Sequence, residues 1–192
     1  MTRVKLIEPE NFDDPVIDAI CGWVTEMEGK VPNHFKLELN FPEFFKAKLG
    51  ATKVLWEMGE LSIIEIQHVG IAVSNANKCP YCTAAFSTIL TFGLDEDEGY
   101  TQRLIKEGSS AIEDPRTKQL VDFSLKINSE AFKTTDKDVD QLRSVGLTDK
   151  GILQLVHLVS DFASYNRLNL ALDTEYDYKN IWKELVVGTS GK

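Results

Sequence analysis

Residues 61–86 read LSIIEIQHVGIAVSNANKCPYCTAAF, and this stretch decides the fold. Ser62 followed three residues later by Glu65 is the signature of a capping box, which opens a helix. Ile63, Ile64, Ile66, Val69, Ile71, Ala72 and Val73 leave almost no polar face, so the spacing predicts a helix buried on most sides. Gln67, Gly70 and Ser74 form one small and polar stripe at helical spacing, where a neighbouring backbone can approach closely. Asn75 to Lys78 read as a turn. A second helix is expected from Cys79, with Pro80 at the first helical position, where a missing N–H costs nothing. Cys79 then sits at the N-cap and Cys82 in the first turn. Unpaired N–H groups and the positive end of the helix dipole favour a thiolate there.

Outward from this core the same punctuation recurs. Asp14-Pro15 opens a helix to Glu28, before Gly29. Further helices are expected from Asn33 to Leu39, from Glu43 to Met58 and from the acidic cluster Asp95–Glu98 to Ile112. Others start at Asp114-Pro115, run from Asp136 to Val145, run from the Thr148 cap to Leu172, and span Tyr178 to Val187. Residues 1–13 read as a loose or extended arm, and 188–192 as a disordered tail. No alternating strand pattern follows the first few residues, so the expectation is a single all-α domain over 1–192. One internal echo is open to two readings, a duplicated helix pair or a chance match between two buried helices. With Leu61 placed on Leu147, Ser62 meets Thr148, Ile66 meets Ile152, Val73 meets Val159 and Ser74 meets Ser160. Tyr165 then falls at Cys79 and Leu168 at Cys82, so dithiol chemistry belongs to the first copy alone.

The totals narrow the function. A chain of 192 residues is long enough for one sizeable core, and its composition, 43% hydrophobic and 27% charged, is that of a globular protein. A net charge of -9 argues against nucleic acid or an anionic membrane surface as partner. No apolar run reaches membrane-span length, and the first residues lack a signal-peptide core, so a cytoplasmic protein is expected. Three cysteines are no disulfide scaffold. Cys21 reads as a small core residue.

Three readings of Cys79-Pro80-Tyr81-Cys82 compete. Two buried core cysteines can lie close by chance. A zinc site needs two more ligands, and Cys21, His34, His68 and His157 are too scattered to supply them, so no metal is expected. In the redox reading one thiolate attacks a peroxide or a disulfide, and the other thiol resolves the product as an internal disulfide. The tetrapeptide matches a glutaredoxin site, but the thioredoxin-like fold requires flanking strands that this sequence lacks.

The core from Ala72 to Ala85, preceded by its apolar helix, resembles the alkylhydroperoxidase D-like (AhpD-like) proteins of the carboxymuconolactone decarboxylase superfamily, most closely their peroxidase-related branch. Leu61-Ser62, Val139-Asp140-Gln141-Leu142-Arg143, Gly146-Leu147-Thr148, Asn166-Arg167 and Ala171-Leu172 extend the resemblance over residues 30–175. It implies an all-α fold, a homo-oligomer (dimer, trimer or hexamer), and thiol peroxidase or disulfide reductase chemistry without a cofactor. The substrate would be an organic hydroperoxide or a disulfide, and the reductant is unspecified. It also implies Cys82 as the attacking thiolate and Cys79 as the more exposed, resolving thiol.

Two positions depart from the family pattern. Where active members carry a proton-relaying glutamate and histidine, this chain has Gln67 and Phe86, neither of which accepts a proton near neutral pH. Phe86, one turn after Cys82, would raise the thiol pKa, while the helix N-terminus would lower it. Tyr81 can donate a hydrogen bond or simply pack, and His157 is a candidate supporting residue. Glu65 reads as the partner of Ser62, and His68 points away from Gln67. The expected function is a weakened thiol peroxidase or thiol–disulfide oxidoreductase. The rival is a catalytically degenerate, oligomeric ligand-binding or redox-sensing protein. Lactone decarboxylation, the superfamily's other activity, does not use the dithiol.

Overall fold

The computed structural model describes residues 2–189, and among these the secondary structure is entirely helical. The α-helices are α1 (Pro15–Glu28), α2 (Asn33–Glu38), α3 (Pro42–Glu57), α4 (Ile63–Ala76) and α5 (Pro80–Thr88). After them come α6 (Glu98–Glu107), α7 (Pro115–Glu130), α8 (Asp136–Ser144), α9 (Asp149–Leu172) and α10 (Asn180–Thr189). None is long and apolar enough to cross a membrane.

Caps explain the boundaries. The Asp14 carboxylate accepts from the Val16 and Ile17 amides, and Gly29, at φ 75°, ends α1 in the left-handed conformation. Ser62 and Glu65 form the expected reciprocal capping box. The last helix runs to Thr189, two residues beyond the expected Val187, and the remainder of the expected tail, residues 190–192, lies outside the described residues. The first residues are extended but not loose. The Arg3 amide donates to the Leu172 carbonyl at 2.8 Å, and Ile7 donates to Lys36 at 3.0 Å.

Helix α4 is the axis of the fold, packed by α5, α6, α7 and α9. Ile66, Val69, Ile71 and Val73 are fully buried there, each such side chain contributing roughly 1.5–3 kcal/mol. The Gly70 stripe is filled differently from the sequence expectation. It receives the Phe86 ring rather than a backbone: a Cβ on Gly70 would lie 2.5 Å from that ring. A second, smaller core joins α1, α2 and α3 through Ile17, Val24, Phe35, Phe45 and Leu49. Cys21 packs in it, and burial pushes its thiol up to about 11. The sequence echo between α4 and α9 covers the caps and the apolar rhythm only. Helix α9 runs unbroken through the counterpart of the Asn77–Cys79 break.

Candidate active site

The dithiol is aimed by the break between α4 and α5. Lys78 adopts the left-handed conformation (φ 56°), and the Cys79 amide turns back to the Ser74 carbonyl at 2.9 Å. Cys79 becomes the N-cap of α5, its Sγ accepting from the Cys82 amide at 3.3 Å. Both thiols are reduced and buried, with 0% of Cys79 and 3% of Cys82 exposed. This corrects the expectation that Cys79 is the more exposed: Cys82 lines the adjoining cavity and Cys79 does not.

Helix α9 answers the dithiol with amides. Asn169 Nδ2 donates to Cys82 Sγ at 3.3 Å, and Asn166 adds a second hydrogen-bonding influence. Asn166 is oriented by a network: its Nδ2 donates to Ser74 Oγ at 3.0 Å, and its Oδ1 accepts from Asn77 Nδ2 at 2.8 Å. Burial alone would raise the Cys82 pKa. Hydrogen bonds from the Cys79 thiol, Asn166, Asn169 and its own amide outweigh burial and bring it below the ordinary thiol value. The Cys79 thiol moves the other way, because it gives its hydrogen bond to Cys82 and is itself buried. When the pair ionises, the first negative charge therefore falls on Cys82 rather than Cys79.

Beside Cys82 lies a cavity of about 60 Å³ at the seam of the two cores. A water molecule needs roughly 10–15 Å³ on that scale, so there is room for a small organic guest. Its walls are mainly apolar, with Trp56, Phe86 and Phe162 packed on one another. Four buried polar atoms on its lining lack protein partners: His34 Nδ1, Trp56 Nε1, the Tyr165 hydroxyl and Asn169 Oδ1. Such atoms are costly unless something polar meets them. Burial and the Lys48 charge keep the His34 imidazole neutral, with its pKa down to about 3. Glu28, on the α1 side, is pushed up to about 8 by burial and by Asp177, against the opposing hydrogen bond from the Tyr178 hydroxyl at 2.5 Å.

The residues singled out from sequence fare unequally. Phe86 forms a cavity wall beside Cys82. Gln67 is fully buried, with neither amide atom partnered, and does not line the cavity. Tyr81 lines the cavity, but its hydroxyl donates to Asp177 Oδ1 at 2.7 Å and accepts from the His34 amide at 3.1 Å. It ties the segment after α9 to α5 instead of serving the thiols. His157 is exposed on α9 and does not line the cavity, so its candidacy as a supporting residue is withdrawn. Among the described residues no group of three or more His, Cys, Asp or Glu side chains is placed to hold a metal.

His34, Glu28, Thr52, Tyr165 and Asn169 were not singled out for the site. A signal existed for two of them. Tyr165 and Asn169 are polar residues on the core face of α9, in register with Phe162.

Comparisons with solved structures place the architecture. A peroxidase-related protein from Silicibacter sp. TM1040 superposes with a TM-score of 0.78 at 24% identity, over 92% of each chain. An alkylhydroperoxidase AhpD core protein, also peroxidase-related, from Ralstonia eutropha JMP134 gives 0.82 at 23% identity over 96% of each chain. The debrominase Bmp8, as a cysteine-to-alanine variant in complex with 2,3,4-tribromopyrrole, gives 0.77 at 15% identity, over 98% of this chain and 99% of that one. No protein-family model and no curated protein matches the sequence. The chain has the all-α fold of the AhpD-like, peroxidase-related proteins.

Proposed function

We propose that this protein is a dithiol oxidoreductase that reduces small organic hydroperoxides at Cys82 and stores the oxidising equivalents as a Cys79–Cys82 disulfide. The observation that carries this reading is the Cys82 sulfur, held by the Asn169 amide at 3.3 Å and facing a small cavity. A lowered thiol pKa beside a space for a guest is the arrangement a nucleophilic cysteine needs. The thiolate attacks the terminal peroxide oxygen. The S–O bond forms, the O–O bond breaks, and an alkoxide leaves to be protonated as alcohol. Cys79–SH then attacks the Cys82 sulfenic acid, forming the disulfide and releasing water.

Burial of both sulfurs favours a small molecule over a protein disulfide as oxidant. A reduced dithiol that must be regenerated suits a reducing compartment such as the cytoplasm. With Gln67 and Phe86 at the family's relay positions, the turnover is slower than in members with the acid-base pair.

The test is thiol counting by mass spectrometry on the reduced protein before and after a stoichiometric pulse of cumene hydroperoxide. Wild type is expected to lose two hydrogens between Cys79 and Cys82. Cys82→Ser should lose none, and Cys79→Ser should stop at a sulfenic acid that dimedone traps. Survival of both wild-type thiols would overturn the reading. Reductive dehalogenation of a small halogenated ring is the second reading, favoured by the ring-lined cavity. Bromide release from tribromopyrrole by the reduced protein would support it.

A further inference from the structure

The departing alkoxide needs a proton, and the two positions that supply one in the family pattern cannot do so here. Gln67 is away from the cavity, and Phe86 is a hydrocarbon wall. Another polar group lines the same cavity. The Tyr165 hydroxyl lines the cavity with Cys82, is over nine-tenths buried, and has no hydrogen-bond partner at good geometry. Burial raises the Tyr165 pKa well above the ordinary phenol value, as do the Asp161 and Glu38 charges, and the nearby Thr52 hydroxyl, also on the lining, opposes the rise. Thr52 Oγ1 in turn donates to Asp161 Oδ2 at 2.8 Å. Asp161 is half-buried and so connects this chain of groups to solvent. Lys48 holds the assembly together. Its Nζ lies 3.4 Å from the centre of the Tyr165 ring and 3.0 Å from Glu38 Oε1.

We propose that Tyr165 is the general acid of this site, reloaded through the positioning residues Thr52 and Asp161. The inference rests on the peroxidase reading. As Cys82 breaks the O–O bond, Tyr165 gives its phenolic proton to the leaving alkoxide. The phenolate recovers a proton from the Thr52 hydroxyl, which takes one from solvent by way of Asp161 and so turns round the hydrogen bond it donates to that carboxylate at rest. The proton consumed thus comes from solvent, and the sulfur loses the two electrons the peroxide gains. Burial raises the Asp161 pKa against the Thr52 and Lys48 contacts. Asp161 faces Lys48, and the Tyr165 ring lies in the field of Glu38, Asp161 and the Cys82 thiolate.

The leaving group decides the experiment. Cumene hydroperoxide expels a basic alkoxide that needs an acid, whereas 3-chloroperbenzoic acid expels a carboxylate that does not. Tyr165→Phe removes only a hydroxyl without a partner and keeps the ring against Lys48. Rates of Cys82 oxidation are measured for both oxidants with the reduced full-length protein. For Tyr165→Phe the rate with cumene hydroperoxide should fall about 100-fold, within the usual range for a general acid. The rate with the peracid should fall less than about threefold. Thr52→Val should show the same split to a smaller degree, and Thr52→Ser, which keeps the hydroxyl, should restore it. Equal losses with both oxidants would make Tyr165 a packing residue and overturn the relay alone. Wild-type protein inert to both would overturn the peroxidase reading and the relay with it.

Discussion

Asn169 Nδ2 lies 3.3 Å from Cys82 Sγ, so a side chain in the last turn of α9 governs a thiol on α5. Hydrogen bonds to a charged group contribute about 1.5–3 kcal/mol. Asn169→Leu removes one such bond and leaves the burial, so the Cys82 pKa must rise. The expected shift is about one pKa unit or more. The pH profile of Cys82 alkylation by iodoacetamide reads it, with the midpoint moving to higher pH. An unmoved midpoint would show that Asn169 does not stabilise the thiolate.

His34 makes the fold sensitive to acid. Its pKa falls from 6.5 to about 3, chiefly because of burial. Below 6.5 the unfolded chain binds a proton that the folded chain refuses, so stability falls as pH drops from 6.5 towards 3. Between about pH 7 and pH 4.5 this one group costs roughly 2–3 kcal/mol. His34→Leu should flatten that part of the urea-denaturation profile. Glu28, raised from 4.5 to about 8, acts oppositely: stability is lost as pH rises through that interval, and Glu28→Gln should remove the loss.

Tyr81→Phe separates clamping from chemistry. The lost hydroxyl leaves the His34 amide without its acceptor and the Asp177 carboxylate without its donor. Stability should drop by about 1–3 kcal/mol in chemical denaturation. The Cys82 alkylation midpoint should stay where it is, since the Tyr81 hydroxyl is bonded to Asp177 and the His34 amide rather than to either sulfur. A shifted midpoint would restore Tyr81 to the thiol chemistry.

Gly70→Ala tests the packing of Phe86. The new methyl would sit 2.5 Å from the ring, which must rotate into the cavity beside Cys82. Overpacking of this kind costs typically about 1–3 kcal/mol. Adding Phe86→Leu should recover most of that loss, a coupling visible in a double-mutant cycle.

The helices were legible because their ends are local events. Asp14-Pro15, Ser62 with Glu65, Asp114-Pro115 and Thr148 each write a boundary within four residues, and each cap is present. Cys79 and Cys82 were legible for the same reason. The rest of the site is not local. His34 reaches the cavity from α2, Thr52 from α3 and Tyr165 from α9, and only the packing of three helices brings them together. Burial, which sequence cannot assign residue by residue, raises the Cys82 pKa and is outweighed by hydrogen-bond donors that include Asn166 and Asn169 from a distant part of the chain. It also reversed the expected exposure of the two thiols. The Gly70 stripe was read correctly as a close approach, with the wrong neighbour.

The amides gathered around Cys82 have an electrochemical consequence. Whatever favours the thiolate favours the reduced protein, because the disulfide carries no charge for Asn166 and Asn169 to meet. For a two-electron couple, about 1.4 kcal/mol of such preference moves the midpoint by about 30 mV towards the oxidising side. A Cys79–Cys82 disulfide would thus be the higher-energy form of the pair and would accept electrons readily. Equilibration against glutathione buffers should place its potential above that of the Asn169→Leu variant.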